Sequence, residues 1–223
     1  MLSVVVPTLD AAGDLPAMVA GLASGGAMVG EIVVCDGGSS DPSVAVAEAH
    51  GARVVAAAPG RGGQLMAGAA AGGDWLLFLH ADTRLAAGWA REAARFMAEP
   101  GNQRRAAVFR FALDDDCSAA RRLEAFVAWR CRALGLAYGD QGLLISRAFY
   151  DALGGFRPLP LMEDVDMARR IGRRRLVFLD SAAVTSARRY RRAGYFRRTA
   201  RNATCVGLFF LGLPPRAIRR LYG

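Results

Sequence analysis

The chain has 223 residues, 53% of them hydrophobic, and a net charge of +9. That length supports one large domain with an ample core and excludes a small stapled scaffold. All 29 basic residues are Arg in an Ala-rich chain, a pattern of coding bias, so basicity alone is not read as a nucleic-acid signal.

Leu2 to Val6 reads as a first strand, stopped by Pro7. A helix is expected from about Gly13 to Leu22. Glu31 to Cys35 is a second strand, ending in the turn Asp36-Gly37-Gly38-Ser39-Ser40. Asp41 then reads as an N-cap with Pro42 at the first helical position, and that helix reaches about His50. Ala52 to Ala57 is a third strand. The turn Gly60-Arg61-Gly62-Gly63 opens a small-residue helix to about Ala71. Trp75 to Leu79 is apolar on both faces, as expected of a central strand in a parallel sheet. A helix over Ala86–Met97 follows. This alternation predicts an α/β layered fold.

After residue 100 the pattern loosens. Strands are expected at Ala106–Leu113, Gly142–Ser146 and Leu176–Leu179, and helices at Ala119–Leu134, Glu163–Arg174 and from Ala193 onward, interrupted by Pro214-Pro215. No linker or repeat divides the chain. The expectation is one domain, 1–223, with a nucleotide-binding half (1–100), an acceptor and catalytic half (101–190) and a basic helical tail (191–223).

Charge is unevenly placed. Residues 167–223 carry fifteen Arg against Asp180 alone. Such a region suits phosphates, an anionic substrate or an acidic membrane face; a solvated helix surface is the plain alternative. The four cysteines form no C-x-x-C pair, which argues against a zinc or redox motif and for a reducing compartment. The first residues read as a strand rather than a signal peptide, so a cytoplasmic location is expected, peripheral to a membrane at most.

Ligands of parallel α/β sheets sit beyond the carboxyl ends of the strands. There the sequence places Pro7, Thr8 and Asp10, then Asp36 and Gly37, then His80, Ala81 and Asp82. Asp36 reads either as an acceptor for a base or ribose or as an Asx turn at a glycine pair. Asp82 reads as a ligand for a divalent metal bridging a diphosphate, with His80 in support, or as a cap. Arg61 can pair with a diphosphate, with Gly62 and Gly63 letting backbone approach; no Walker A loop is present. Glu163 and Asp164 open a helix, where capping competes with general-base chemistry. Asp140, in a glycine-flanked turn, can position an acceptor.

Taken together, these stretches resemble the family 2 glycosyltransferases of the GT-A fold. The match runs through Ser3-Val4-Val5-Val6-Pro7-Thr8-Leu9, then Glu31 to Asp41, then Phe78-Leu79-His80-Ala81-Asp82-Thr83. Tyr138-Gly139-Asp140-Gln141-Gly142, Leu153-Gly154-Gly155-Phe156, Pro160-Leu161-Met162-Glu163-Asp164 and Arg188-Arg189-Tyr190 look like the narrower subgroup of arsenosugar-biosynthesis glycosyltransferases.

The resemblance implies a GT-A-like, Rossmann-type, mostly parallel sheet flanked by helices. It implies inversion at the anomeric carbon, a Mn2+ or Mg2+ ion, and a UDP- or GDP-sugar donor passing its sugar to a hydroxyl acceptor. By position, Asp36 contacts the nucleoside, Asp82 the metal and Asp164 is the base; Pro7, Thr8, Asp10, Gly37, Arg61, Gln64 and Ala81 join the donor site. Two departures stand out: Ala11 where the family has Glu, and Met66 where the subgroup has Asn. The alternatives are a sugar nucleotidyltransferase, against which the acidic Asp10–Asp14 loop argues, and a nucleotide-binding or membrane-docking protein without turnover.

Overall fold

The computed structural model describes residues 1–222. The first βα units run β1 (Leu2–Thr8), α1 (Leu15–Leu22), β2 (Val29–Asp36), α2 (Ser43–Ala49), β3 (Arg53–Ala56), α3 (Arg61–Gly68) and β4 (Trp75–Phe78). Then come a short β5 (Thr83–Leu85), α4 (Trp89–Ala98), β6 (Ala106–Leu113), α5 (Ser118–Leu134), β7 (Leu143–Ser146) and α6 (Arg147–Ala152). The chain closes with α7 (Glu163–Ile171), β8 (Leu176–Thr185), α8 (Arg188–Ala193), α9 (Tyr195–Phe210) and α10 (Pro215–Tyr222).

The strands form one sheet in the order β3-β2-β1-β4-β7-β6-β8-β5. β3, β2, β1 and β4 run parallel, as the alternation predicted. β7 is antiparallel to both of its neighbours, β4 and β6. One core lies on each face of the sheet. One packs α3 and α5 residues such as Leu65 and Val127 against Val5 and Ile145; the other packs α1 and α4 residues such as Met18 and Trp89 against Val4 and Leu77.

Three expectations change. Pro7 does not stop β1, which continues to Thr8 paired with Asp36. Val5 faces β4, its carbonyl accepting from Leu79 N at 3.0 Å. Pro7, two residues on, faces the same side beyond the end of β4, so its missing N–H costs no ladder bond. The strand at Leu176 runs on to Thr185, because β5 pairs with its far end through Thr83↔Thr185. The helix opening at Glu163 ends at Ile171, where Gly172 has φ +78. β5 and α6, both short, carry no periodicity that the sequence reading detected.

Among the described residues no helix is long and apolar enough to cross a membrane.

Candidate active site

Arg61, His80, Asp82, Asp140 and Asp164 line a single cleft of about 730 Å³ at the carboxyl end of the sheet. Tyr138, Thr185, Ser186, Arg189, Tyr190, Arg198 and Asn202 complete its walls. Three separate segments of sequence thus deliver carboxylates to one place.

Asp82 lies half-buried between the end of β4 and β5. Its carbonyl accepts from Ser186 N at 3.1 Å, which ties the turn to the end of β8. Below it, the Thr83 and Thr185 hydroxyls meet at 2.6 Å, and Thr185 Oγ1 donates to the Asp140 carbonyl at 3.2 Å. The segments carrying Asp82 and Asp140 are therefore laced through β8.

The Asp140 turn is built on its neighbours. Gln141 is buried; its amide donates to the Phe109 carbonyl at 3.1 Å and accepts from Tyr138 N at 3.3 Å. Gly139 faces His80 so closely that a Cβ would lie 2.5 Å from Nε2. Arg130, buried in α5, stacks 3.5 Å from the centre of the Tyr138 ring. Asp140 Oδ1 is buried without a hydrogen-bond partner. Burial pushes this carboxyl up to about 6; the Asp164 and Asp82 charges add to the rise, while Arg130 and Arg61 oppose it.

Asp164 sits in the first turn of α7. Its Oδ2 accepts from Gly139 N at 2.9 Å and its Oδ1 from Val165 N at 2.8 Å. These bonds aim the carboxylate while leaving lone pairs toward the cleft. Glu163 points the other way, 1% exposed and paired with Arg61 Nε at 2.9 Å. Burial pushes its carboxyl up to about 7, against the pull of Arg61. Met162, before them, holds φ +69, a costly conformation for a side chain of its size. Asp166 takes Arg157 at 3.1 Å and Arg170 at 2.7 Å; Arg170 also donates to the Leu153 and Gly155 carbonyls, each at 2.7 Å. That knot, buried at Asp166 and open to solvent at Arg157, fixes the start of α7. His80 is driven down to about 3 by burial, with Arg61 and Arg189 adding and Asp164 opposing, so it presents a neutral imidazole.

The candidates at the ends of β1 and β2 stand outside this cleft. Asp36 closes an Asx turn on Gly38 N and Ser39 N at 2.9 and 3.0 Å. Asp10 accepts from Ser40 N at 2.7 Å and Ser40 Oγ at 3.0 Å. Ala11 N donates to Ser43 Oγ at 2.8 Å. Thr8 is buried, and Gly37 N donates to its carbonyl at 2.9 Å. Gln64 is buried and donates to the carbonyls of Thr8 and Cys35 at 2.7 and 2.8 Å, so its amide bolts α3 to the two strand ends. Pro7 and Ala81 are buried too. Met66 is exposed. The room at Gly62 is taken by the backbone of Arg157 and Leu159, not by open space. Asp14 forms an ion pair with Arg188, joining the first loop to α8.

A divalent cation fits what remains. Among the described residues no three His, Cys, Asp or Glu side chains gather to hold a metal by themselves. Asp82, however, lines the cleft with no hydrogen bond or ion pair to its side chain among the described residues, and Asp140 Oδ1 is buried without a partner. Hard oxygens of this kind suit Mg2+ or Mn2+ completed by substrate oxygens and water.

A profile of the glycosyl transferase family 2 matches residues 3–132. The chain belongs to glycosyl transferase family 2. This decides for a glycosyltransferase over the nucleotidyltransferase and over a binding protein without turnover. Solved structures agree on the fold, which is of the GT-A type. TarS 1–349 of S. aureus is 15% identical, with 99% of this chain and 69% of that one covered, at a TM-score of 0.65. Glucosyl-3-phosphoglycerate synthase from Mycobacterium tuberculosis, in complex with Mn2+, uridine diphosphate and glucosyl-3-phosphoglycerate, is 21% identical over 82% of this chain and 70% of that one, at 0.57. The same enzyme with phosphoglyceric acid gives 20% over 90% and 77%, at 0.60. No curated protein matches the chain in sequence.

Sequence reasoning missed Arg130, Arg198 and Asn202 of this transferase. Arg198 and Asn202 are four apart on α9 and so share a face; that spacing was the available signal, masked by the abundance of Arg around it. The tail aromatics divide. Tyr195 stacks on Tyr190 with ring centres 5.5 Å apart and Phe209 packs inward, whereas Phe196 and Phe210 are exposed.

Proposed function

We propose that this family 2 transferase is an inverting, divalent-metal-dependent enzyme that moves a sugar from a nucleotide-sugar to a hydroxyl acceptor. The observation that carries this is the meeting of Asp82 and Asp164 in one cleft. Asp164 takes the proton of the acceptor hydroxyl as that oxygen attacks the anomeric carbon from the face opposite the leaving diphosphate. A bound Mn2+ or Mg2+ supplies positive charge for the departing diphosphate. Asp82 would hold that ion, with Asp140 as the second oxygen donor and His80 as a neutral neighbour. Arg61 is placed for the diphosphate by its exposed edge, while Glu163 behind it orients the guanidinium. The nucleoside takes the ends of β1 and β2, where Pro7, Thr8, Asp10, Asp36 and Gly37 form the wall, with Ala81 beyond the end of β4. Residues 1–100 thus bind the donor, 101–190 the acceptor, and 191–223 cover it.

A UDP-sugar is favoured over a GDP-sugar, since the synthase with the same fold is seen with uridine diphosphate and Mn2+. The narrower resemblance to arsenosugar-biosynthesis enzymes stands as the proposed subgroup. The Arg-rich last helices, with Phe196, Phe210 and Leu211 exposed beside them, fit peripheral contact with an anionic membrane from the cytoplasmic side.

Calorimetric titration with UDP and with GDP, each with and without Mn2+, tests the donor assignment. Metal-dependent binding of UDP is expected. Equal binding with and without metal removes Asp82 from its role, and no binding of either nucleotide overturns the donor site.

A further inference from the structure

We infer that α9 is the acceptor-recognition wall of the cleft and that Arg198 and Asn202 select a polyhydroxy acceptor carrying an anionic group, a carboxylate or a phosphate. The inference rests on the glycosyl-transfer reading and names the class of its second substrate.

Three observations carry it. First, Arg198 and Asn202 both line the cleft that holds Asp82, Asp140 and Asp164. Asn202 also lines an adjoining groove of about 420 Å³ between α5 and α9, shared with Tyr138, Asp140 and Tyr190. The groove and the cleft thus meet at Asp140. Second, each of these side chains leaves a buried polar atom without a hydrogen-bond partner: Nε of Arg198 and Oδ1 of Asn202. Buried polar atoms are nearly always satisfied, and leaving one unmet costs about 1–3 kcal/mol. Two on one helix face, both at a cleft, mark a place where a ligand supplies the partners. Third, the missing partners have opposite character. Arg198 Nε–H lacks an acceptor, which an oxyanion provides; Asn202 Oδ1 lacks a donor, which a hydroxyl provides.

The neighbours support the assignment. Arg198 lies with its guanidinium carbon 5.2 Å from the centre of the Tyr190 ring, and Tyr190 stacks on Tyr195. Tyr195 in turn donates to Asp115 at 2.7 Å. The guanidinium is therefore laid on a braced aromatic surface. It carries no ion pair to a carboxylate among the described residues, unlike Arg170, Arg188 and Arg191. A ligand seated there brings its hydroxyls toward Asp164, which lines the same cleft from the opposite element.

The test loads the protein with UDP and Mn2+ and titrates it with glucose, glucuronate, glucose 6-phosphate and inorganic phosphate. The anions are expected to bind, and the two anionic sugars about tenfold or more tighter than glucose, a difference of one charge-assisted contact. Arg198→Gln should erase most of that preference, and Asn202→Leu should weaken the two sugars while leaving inorganic phosphate unchanged. UDP affinity in the presence of Mn2+ should stay within about twofold in both variants. Equal binding of glucose and its anionic partners overturns the inference, as does binding of none of the anions. Loss of UDP affinity in Arg198→Gln in step with anion affinity also overturns it, because that places Arg198 on the donor diphosphate. A wild-type protein that fails to bind UDP at all is a different failure, that of the donor site.

Discussion

The two ends of the proposed donor-to-acceptor axis treat their polar side chains in opposite ways. At the ends of β1 and β2, Asp10, Asp36 and Gln64 are each closed onto backbone or serine partners within the chain. Across the cleft, Asp140, Arg198 and Asn202 each keep a buried polar atom without a partner. Both regions are rich in residues of catalytic type. Only the second leaves hydrogen-bonding capacity unused, and desolvated capacity without a partner is costly unless a ligand meets it. The first region is a pre-shaped wall; the second is a set of open valences.

The sharpest way to break this contrast is Asp164→Asn. It keeps the size and one of the two bonds from Gly139 and Val165, since an amide has a single acceptor oxygen, and it removes the base. Sugar transfer should fall by about 10³-fold, with UDP affinity intact; undiminished turnover by the variant would sink the assignment. Next in size is a structural effect. Asp166→Ala leaves the largely buried Arg170 guanidinium without its carboxylate, and should cost about 3 kcal/mol in chemical denaturation. A change under about 1 kcal/mol would mean that the knot does not brace α7. Gln64→Leu tests the closed region: the Thr8 and Cys35 carbonyls each lose the bond from the amide, although Gly37 N still serves Thr8, so about 1–2 kcal/mol of stability should go. The cleft around Asp82 and Asp140, formed elsewhere, should keep any Mn2+ response that wild type shows.

The smallest effect is a slope. The folded protein raises the Glu163 carboxyl to about 7 from a reference of 4.5. The ionised form is therefore the penalised one in the fold. Its contribution to stability is fully present below about pH 4.5, drains away as pH rises, and is gone above about pH 7. Glu163→Gln should accordingly show a shallower fall in Tm between pH 5 and 8 than the wild type. Parallel curves would mean that Arg61 already compensates for the burial.

Much of the architecture was legible in sequence because local rules govern it. The runs at Val4, Val33 and Leu77 are apolar at strand length, and the parallel order of β1 to β4 follows from the helices between them. Pro7 misled because a proline is judged by its own strand, whereas its cost depends on whether a neighbour still lies opposite. The acids at 82, 140 and 164 were legible as candidates from turn and helix-start positions. Their convergence was expected only through the family resemblance; no local pattern shows it, since it depends on β8 lacing Thr185 to both Thr83 and Asp140.

The sequence alone determined the order of elements, the apolar faces of the sheet and which acids end strands or open helices, because these depend on neighbours a few residues away. Tertiary structure alone decided which of two like residues reaches the cleft and which is packed away behind it. Asp164 faces the cleft while Glu163 is buried behind it; Gln64 bolts strands while Asn202 Oδ1 is buried without a hydrogen-bond partner. The reason is that burial and hydrogen-bond satisfaction are properties of a site, set by chain segments far apart in sequence, and no local pattern encodes them.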